Sequence, residues 1–392
     1  MDSLYATHQY LLKNTQVPLR RKLMDEINWG DRLIGIKGSR GVGKTSTLIS
    51  YAQENFNPSD TQCLYINLNN FHFTVKSIVD FAEEFCMKGG KVLLIDQAFK
   101  YSNWAEELAE CYDRFPDLQI IFSASSLVRL ESDRYQLKGK VSKYNIRGFS
   151  FREYIELKTG LTFPSFSLDD ILSNHTDIVR EITSEVRPLA YLSKYLKEGY
   201  YPFHLENQNF FENLLKTMNF MLEIDLMTIN QIEQSYLPKI RKLLYLLMSS
   251  SPCNPNISQL SQEIETSRAT VMNYIKYMED ARLFNLLYPL GEEFSKKPAQ
   301  IYAHNTNLLY ASVLGNLSEQ TLYETFFYNQ VNKQYPINLG RKNNHFLVDT
   351  KHDFFVGNQM KGKFNPDTYY AIGGIERGER KVIPLWVFGF LY

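Results

Sequence analysis

Four short runs of mostly apolar residues punctuate the first 125 positions. They are Arg32-Leu33-Ile34-Gly35-Ile36, Cys63-Leu64-Tyr65-Ile66-Asn67-Leu68, Lys91-Val92-Leu93-Leu94-Ile95-Asp96 and Leu118-Gln119-Ile120-Ile121-Phe122-Ser123. Stretches of helical period lie between them, at 44–54, 75–87 and 104–115. Short strands that are apolar on both faces and alternate with helices predict an α/β domain: a parallel sheet with helices on both faces. Residues 1–30 read as helical, with Leu11, Leu12, Leu19 and Leu23 as apolar positions and Arg20-Arg21-Lys22 as a basic cluster. The α/β segment is expected to end between Tyr144 and Tyr154.

The pattern then changes. No buried strand is evident from 150 to 250, where helical spacing dominates. Three helices follow in close succession, Pro238 to Met248, Ile257 to Ile264 and Ser267 to Leu283. Two strand-like segments, Phe284 to Tyr288 and Gln300 to Tyr302, bracket the polar loop GEEFSKKP. Three helices and a β-wing are the outline of a winged helix-turn-helix. The last part mixes a helix at 319–333 with short strands at 345–349 and 353–357. It closes on the apolar Ile383 to Tyr392, which is too short to span a bilayer and reads as a buried strand.

Composition narrows the class. A length of 392 residues corresponds to two or three domains, and 44% hydrophobic content with 26 Tyr and 26 Phe supplies real cores. Lys+Arg and Asp+Glu each number 43, which argues against extended, sequence-independent nucleic-acid binding but leaves a local phosphate site open. Cys63, Cys86, Cys111 and Cys253 form no CxxC pair and read as thiols of a reducing compartment. The N-terminus carries no basic start followed by an apolar run, and no window is apolar enough for a membrane helix, so a cytoplasmic protein is expected. His72, His204, His304, His345 and His352 lack metal-ligand spacing.

One motif carries specific chemistry. Gly38-Ser39-Arg40-Gly41-Val42-Gly43-Lys44-Thr45 fits G-x-x-x-x-G-K-[ST] in full, after a strand and before a helix that opens with Lys44, Thr45 and Ser46. Such a loop wraps phosphate oxygens with backbone N–H groups, and the helix aims its positive end at them. Lys44 is placed to reach the β- and γ-phosphates and Thr45 to offer its hydroxyl to Mg²⁺. Asp96 ends an apolar strand some fifty residues later, as a metal-ordering carboxylate would. Gln97 follows, and its neutral amide can orient a water but cannot accept its proton. The fourth strand runs into Ser123-Ala124-Ser125-Ser126, where a hydroxyl would stand beside the γ-phosphate. ATP or GTP with Mg²⁺ is the expected ligand, with Lys44, Asp96 and Gln97 as the catalytic candidates.

GSRGVGKTS, LLIDQAFKYSNWAEELAECYDRFPDLQIIFSASS and IRGFSFREYIEL together resemble a group of prokaryotic AAA+-type P-loop ATPases. That group ends in a domain of unknown function related to restriction-type nucleases. Asn305-Thr306-Asn307-Leu308-Leu309, Tyr323 to Gln330 and the terminal IPLWVFGFLY are similar to it. The pattern along the chain and the resemblance together give a nucleotide-binding domain at 1–155, a helical region at 156–235, a winged helix at 236–300 and a small α+β nuclease-like domain at 301–392. The resemblance also exposes departures. The family's hydrolytic Glu falls on Gln97, and its arginine-bearing stretch falls on Gln136-Leu137-Lys138-Gly139-Lys140, so no arginine finger carries over. The acidic and lysine positions of the nuclease motif fall on His345, Phe355 and Gln359. Glu324 matches and Asp349 and Asp353 stand nearby, but the carboxylate set that holds metal for phosphodiester chemistry is broken, so no nuclease activity is expected.

The helix beginning at Ser267 offers Arg268, Thr270, Asn273 and Lys276 as a polar face for DNA. Glu263, Glu265, Glu279, Asp280, Glu292 and Glu293 oppose that approach, so a protein-contact module is favoured over DNA binding. The expectation is an ATP-binding protein with weak hydrolysis that couples nucleotide state to a protein or DNA partner, with an oligomer open. The alternative is a nucleotide-gated scaffold or DNA-binding regulator without turnover.

Overall fold

A computed structural model describes residues 1–130, 136–206, 209–313, 315–342, 345–359 and 364–392. The chain forms two compact units, Met1–Gly148 and Phe149–Tyr392.

In the first unit, five strands form one sheet: β1 (Leu33–Gly38), β2 (Cys63–Asn67), β3 (Val92–Asp96), β4 (Gln119–Ser125) and β5 (Ser142–Asn145). Their order is β2-β3-β4-β1-β5, and every pairing is parallel. All five residues of β3 are buried, as are all but the first of β4, which is why these strands read as continuous apolar runs. Helices Lys44–Asn55, Ile78–Met87 and Trp104–Arg114 connect the strands. The second of these starts on Ser77, whose side chain accepts from the Asp80 N–H. β5 was not foreseen: it is an edge strand of half-buried and exposed residues without an apolar run to announce it. At the N-terminus, Asp2–Asn14 is helical and only the four-residue turn Leu23–Glu26 follows, so the continuous helical segment expected for 1–30 is interrupted. His8 anchors the first helix, its Nδ1 accepting from the Tyr65 N–H of β2 at 3.1 Å.

In the second unit, helices dominate from Phe151 to Asp280. Phe151–Thr159 begins with a complete capping box, Ser150 bonding the Glu153 N–H and Glu153 bonding the Ser150 N–H. Arg152 and Glu156 form a buried pair on that helix, with Nη1–Oε1 at 2.7 Å. Three helices, Leu237–Ser249, Ile257–Glu263 and Arg268–Asp280, precede the antiparallel hairpin β6 (Phe284–Leu287) and β7 (Gln300–Ala303). Cys253 adds a further bridge to Ile301. The last 90 or so residues hold a mixed sheet of β8 (Ile337–Leu339), β9 (His345–Val348), β10 (His352–Gly357), β11 (Thr368–Ile372) and β12 (Val382–Pro384), ordered β12-β11-β10-β9-β8. Helix Glu319–Val331 is buried along nearly its whole length and packs Phe327 against Phe354 and Phe388.

The C-terminal segment corrects the expectation of a buried strand. Only Val382–Pro384 pairs, and Leu385–Phe390 is a 3-10 helix. Proline lacks the N–H that would extend the ladder. The aromatic residues beyond it gain more from burial: Phe390 lies edge-on to Phe151 and Phe163 at 6.2 and 5.9 Å. In the block around Asn305, side chains satisfy backbone groups. Asn307 accepts from the Tyr200 N–H and donates to the Tyr195 and Leu196 carbonyls at the π-helical turn Tyr195–Gly199, where the helical ladder is broken. Among the described residues, no helix is long and apolar enough to cross a membrane.

Candidate nucleotide site

The site lies in the first unit, at the C-terminal ends of β1, β3 and β4, where the strand order reverses. Gly38 ends β1, and a Cβ there would stand 2.7 Å from the Ile146 carbonyl, so only glycine lets the strand exit this close to the chain beyond β5. Gly43 has φ 96°, a left-handed conformation that turns the loop directly into the helix starting at Lys44. Between them Ser39 and Val42 are buried, Arg40 and Gly41 half-buried. Ser46 sits half-buried in the first helical turn.

The Lys44 ammonium donates to the Gly38 and Ser39 carbonyls at 2.9 and 2.7 Å. Among the described residues, the N–H groups of Gly41, Val42 and Gly43 donate to no backbone carbonyl. A loop of free N–H groups, an ammonium on its rim and a helix N-terminus behind it fit an anion the size of a phosphate chain.

Asp96 is 1% exposed and accepts four hydrogen bonds. Thr45 Oγ1 and the Tyr65 hydroxyl reach Oδ2 at 2.7 and 2.8 Å. Ser123 Oγ and the Gln97 N–H reach Oδ1, the latter at 3.0 Å. The fold thus brings Thr45 and Asp96 into contact across 51 positions of sequence. A hydroxyl, a carboxylate and an ammonium on one rim are the donor set that a Mg²⁺–nucleotide requires. Burial, the Asp96 charge and its hydrogen bond together push the Tyr65 hydroxyl well above its usual range, so it remains a donor.

Gln97 follows in a left-handed conformation, φ 56° and ψ 40°, with its N–H shared between Asp96 and Ser123. The Ser123 hydroxyl is fully buried and committed to Asp96 and the Gln97 N–H, so it braces the carboxylate. Ser125 bonds the Leu127 N–H at 3.4 Å, and the Ser126 N–H bonds the Gly38 carbonyl at 3.1 Å, tying β4 to the base of the loop.

Two contributors escaped the sequence reading. Tyr65 belongs to an apolar strand and looked like core. Arg21 read only as part of a basic cluster. It is 8% exposed, and its guanidinium donates to the carbonyls of Val42, Arg147 and Gly148 at 3.1, 2.8 and 3.1 Å. It clamps the loop to the chain leaving β5.

In the second unit, the positions resembling a nuclease centre form a different arrangement. Asp353 accepts from Thr368 Oγ1 and bonds His345 Nδ1, both at 2.8 Å, while the His345 ring meets Phe355 at 5.7 Å. Glu324 is buried and bonded by Gln320 and Tyr302, and burial raises its pKa. Gln359 is exposed. Among the described residues, no three His, Cys, Asp or Glu side chains gather as a metal site.

Comparison with known proteins agrees with the geometry of the first unit. Residues 30–155 match the sequence model of an AAA domain, and residues 190–318 match that of a domain of unknown function. The latter begins ahead of the terminal segment for which the resemblance implied such a domain and overlaps its start, taking in Asn305–Leu309. An uncharacterized protein of Methanocaldococcus jannaschii is 24% identical over 274 residues, covering 66% of this chain, and the match spans 57% of that relative's length. Among solved structures, PCH-2 of C. elegans shares 15% identity over 71% of this chain and 66% of its own, with a TM-score of 0.23, a likeness too loose to define fold or function. The two family matches, at residues 30–155 and 190–318, each cover about a third of the chain.

Proposed function

We propose that the chain binds ATP with Mg²⁺ at this site, turns it over weakly, and couples the bound state to a macromolecular partner. Lys44 would neutralise β- and γ-phosphate charge, while Thr45 and Asp96 would hold the metal, Asp96 through its hydration shell. Bound Mg²⁺ supplies charge neutralisation at the phosphates. The observation that carries this reading is the 2.7 Å contact of Thr45 with Asp96 beside the Lys44 ammonium. Gln97 supports slow turnover, because an amide at the water-orienting position cannot take a proton. The same observation favours a second reading, a nucleotide-gated scaffold without turnover.

For the partner, residues 236–300 read as a winged helix, and the salt bridges of Lys276 favour protein over DNA. Its ammonium is held by Glu279 at 2.6 Å and Asp280 at 3.1 Å, which leaves Arg268 and Asn273 as the exposed part of that face. The second unit is read as a non-cleaving domain, since His345 and Phe355 stand where carboxylates would bind metal. Four free thiols suit a cytoplasmic setting.

ATP turnover by the wild type and by Gln97→Glu tests the catalytic part. Slow release of phosphate that rises in the variant supports the ATPase. Tight binding without turnover in either protein leaves the scaffold.

A further inference from the structure

A carboxylate offers about four lone-pair sites, and all four of Asp96 are filled by the protein itself. Three of those donors are fixed. The Gln97 N–H is backbone, Ser123 is fully buried and also bonds Gln97, and Tyr65 is 5% exposed within β2. Thr45 alone is an exposed residue, on the first helical turn. Releasing the Thr45 hydroxyl therefore opens one acceptor site on Oδ2, while Tyr65 keeps its neighbour on the same oxygen occupied.

We propose that Tyr65 is a positioning residue that restricts Asp96 to a single acceptor site for the hydration shell of a Mg²⁺–nucleotide, and so sets a high Mg²⁺ demand for binding. The proposal rests on the nucleotide reading above. Its physical basis is competition: a donated hydrogen bond draws charge from Oδ2, and an oxygen that gives up one of two donors becomes a better acceptor for hydrated Mg²⁺. Tyr65→Phe removes only the hydroxyl oxygen and keeps the ring that packs in the sheet. Asp96 keeps three donors in that variant, so no buried group loses its last partner.

The test is calorimetric titration of the full chain with a non-hydrolysable ATP analogue at graded Mg²⁺ concentrations. Tyr65→Phe should lower the half-saturating Mg²⁺ at least threefold, with analogue affinity in EDTA unchanged. In an Asp96→Asn background the same substitution should have no effect, because the route runs through the carboxylate. Binding by the wild type with an unaltered or higher Mg²⁺ demand in Tyr65→Phe overturns the role of Tyr65 alone. Persistence of the full shift in the Asp96→Asn background overturns it too. Absence of binding by the wild type overturns the nucleotide reading and this proposal with it.

Discussion

Arg21→Ala is the most informative perturbation of the loop's support. The side chain is buried and gives three hydrogen bonds to carbonyls from two parts of the first unit, Val42 in the loop and Arg147 and Gly148 after β5. A hydrogen bond from a charged donor contributes about 1.5–3 kcal/mol, and neighbouring bonds do not add fully. Removing all three should destabilise the first unit by about 3–5 kcal/mol, lowering its melting temperature by roughly 6–20 °C for a unit of this size. The Val42 bond alone bears on the phosphate loop. If its contribution must be supplied at binding instead, nucleotide affinity falls about 10- to 100-fold. Arg21→Lys keeps the charge but not the planar fork, and should recover only part of both losses. Thermal unfolding of the full chain and calorimetric nucleotide titration, run on both variants, provide the readout. A melting point within about 1 °C of wild type together with unchanged affinity would refute the clamp.

Other positions make separable predictions. Ser150→Ala removes one half of the capping box and should cost about 0.5–2 kcal/mol in denaturant unfolding of the second unit, with nucleotide affinity untouched; a larger effect on affinity than on stability would contradict this. His8 is buried with Nδ1 accepting from the Tyr65 N–H, and burial lowers its pKa. Below the unfolded value of about 6.5 the unfolded chain binds more protons at this residue, so its contribution to stability is present above that pH and declines as pH falls through it. Unfolding free energies between neutral and mildly acidic pH should show that slope in wild type and a flatter one in His8→Gln; parallel slopes would remove His8 as the cause.

What was legible in the sequence is what is local. Gly38 to Thr45 is one contiguous loop, and the strands β1 to β4 are buried on both faces, so composition alone marks them. The supports of the site are not local: Arg21 acts on positions 126 and 127 residues away, Tyr65 on one 31 away, and Ser123 on one 27 away. An Arg in a basic cluster and a Tyr in an apolar strand carry no sign of such partners. The terminal Leu385–Phe390 misled because a continuous apolar run suits a buried strand and a buried 3-10 turn equally, and Pro384 was the one residue that argued against the ladder. β5 was missed for the opposite reason, having no apolar run at all.

The central claim is that the loop binds a nucleotide through Lys44. Calorimetric titration of the wild type and of Lys44→Ala with ATP and Mg²⁺ tests it directly. The account predicts saturable one-to-one binding by the wild type and loss of at least 100-fold in affinity in Lys44→Ala, about 2.7 kcal/mol, with the melting temperature preserved. Equal heats and equal affinity in the two proteins, or no binding by the folded wild type, would contradict it.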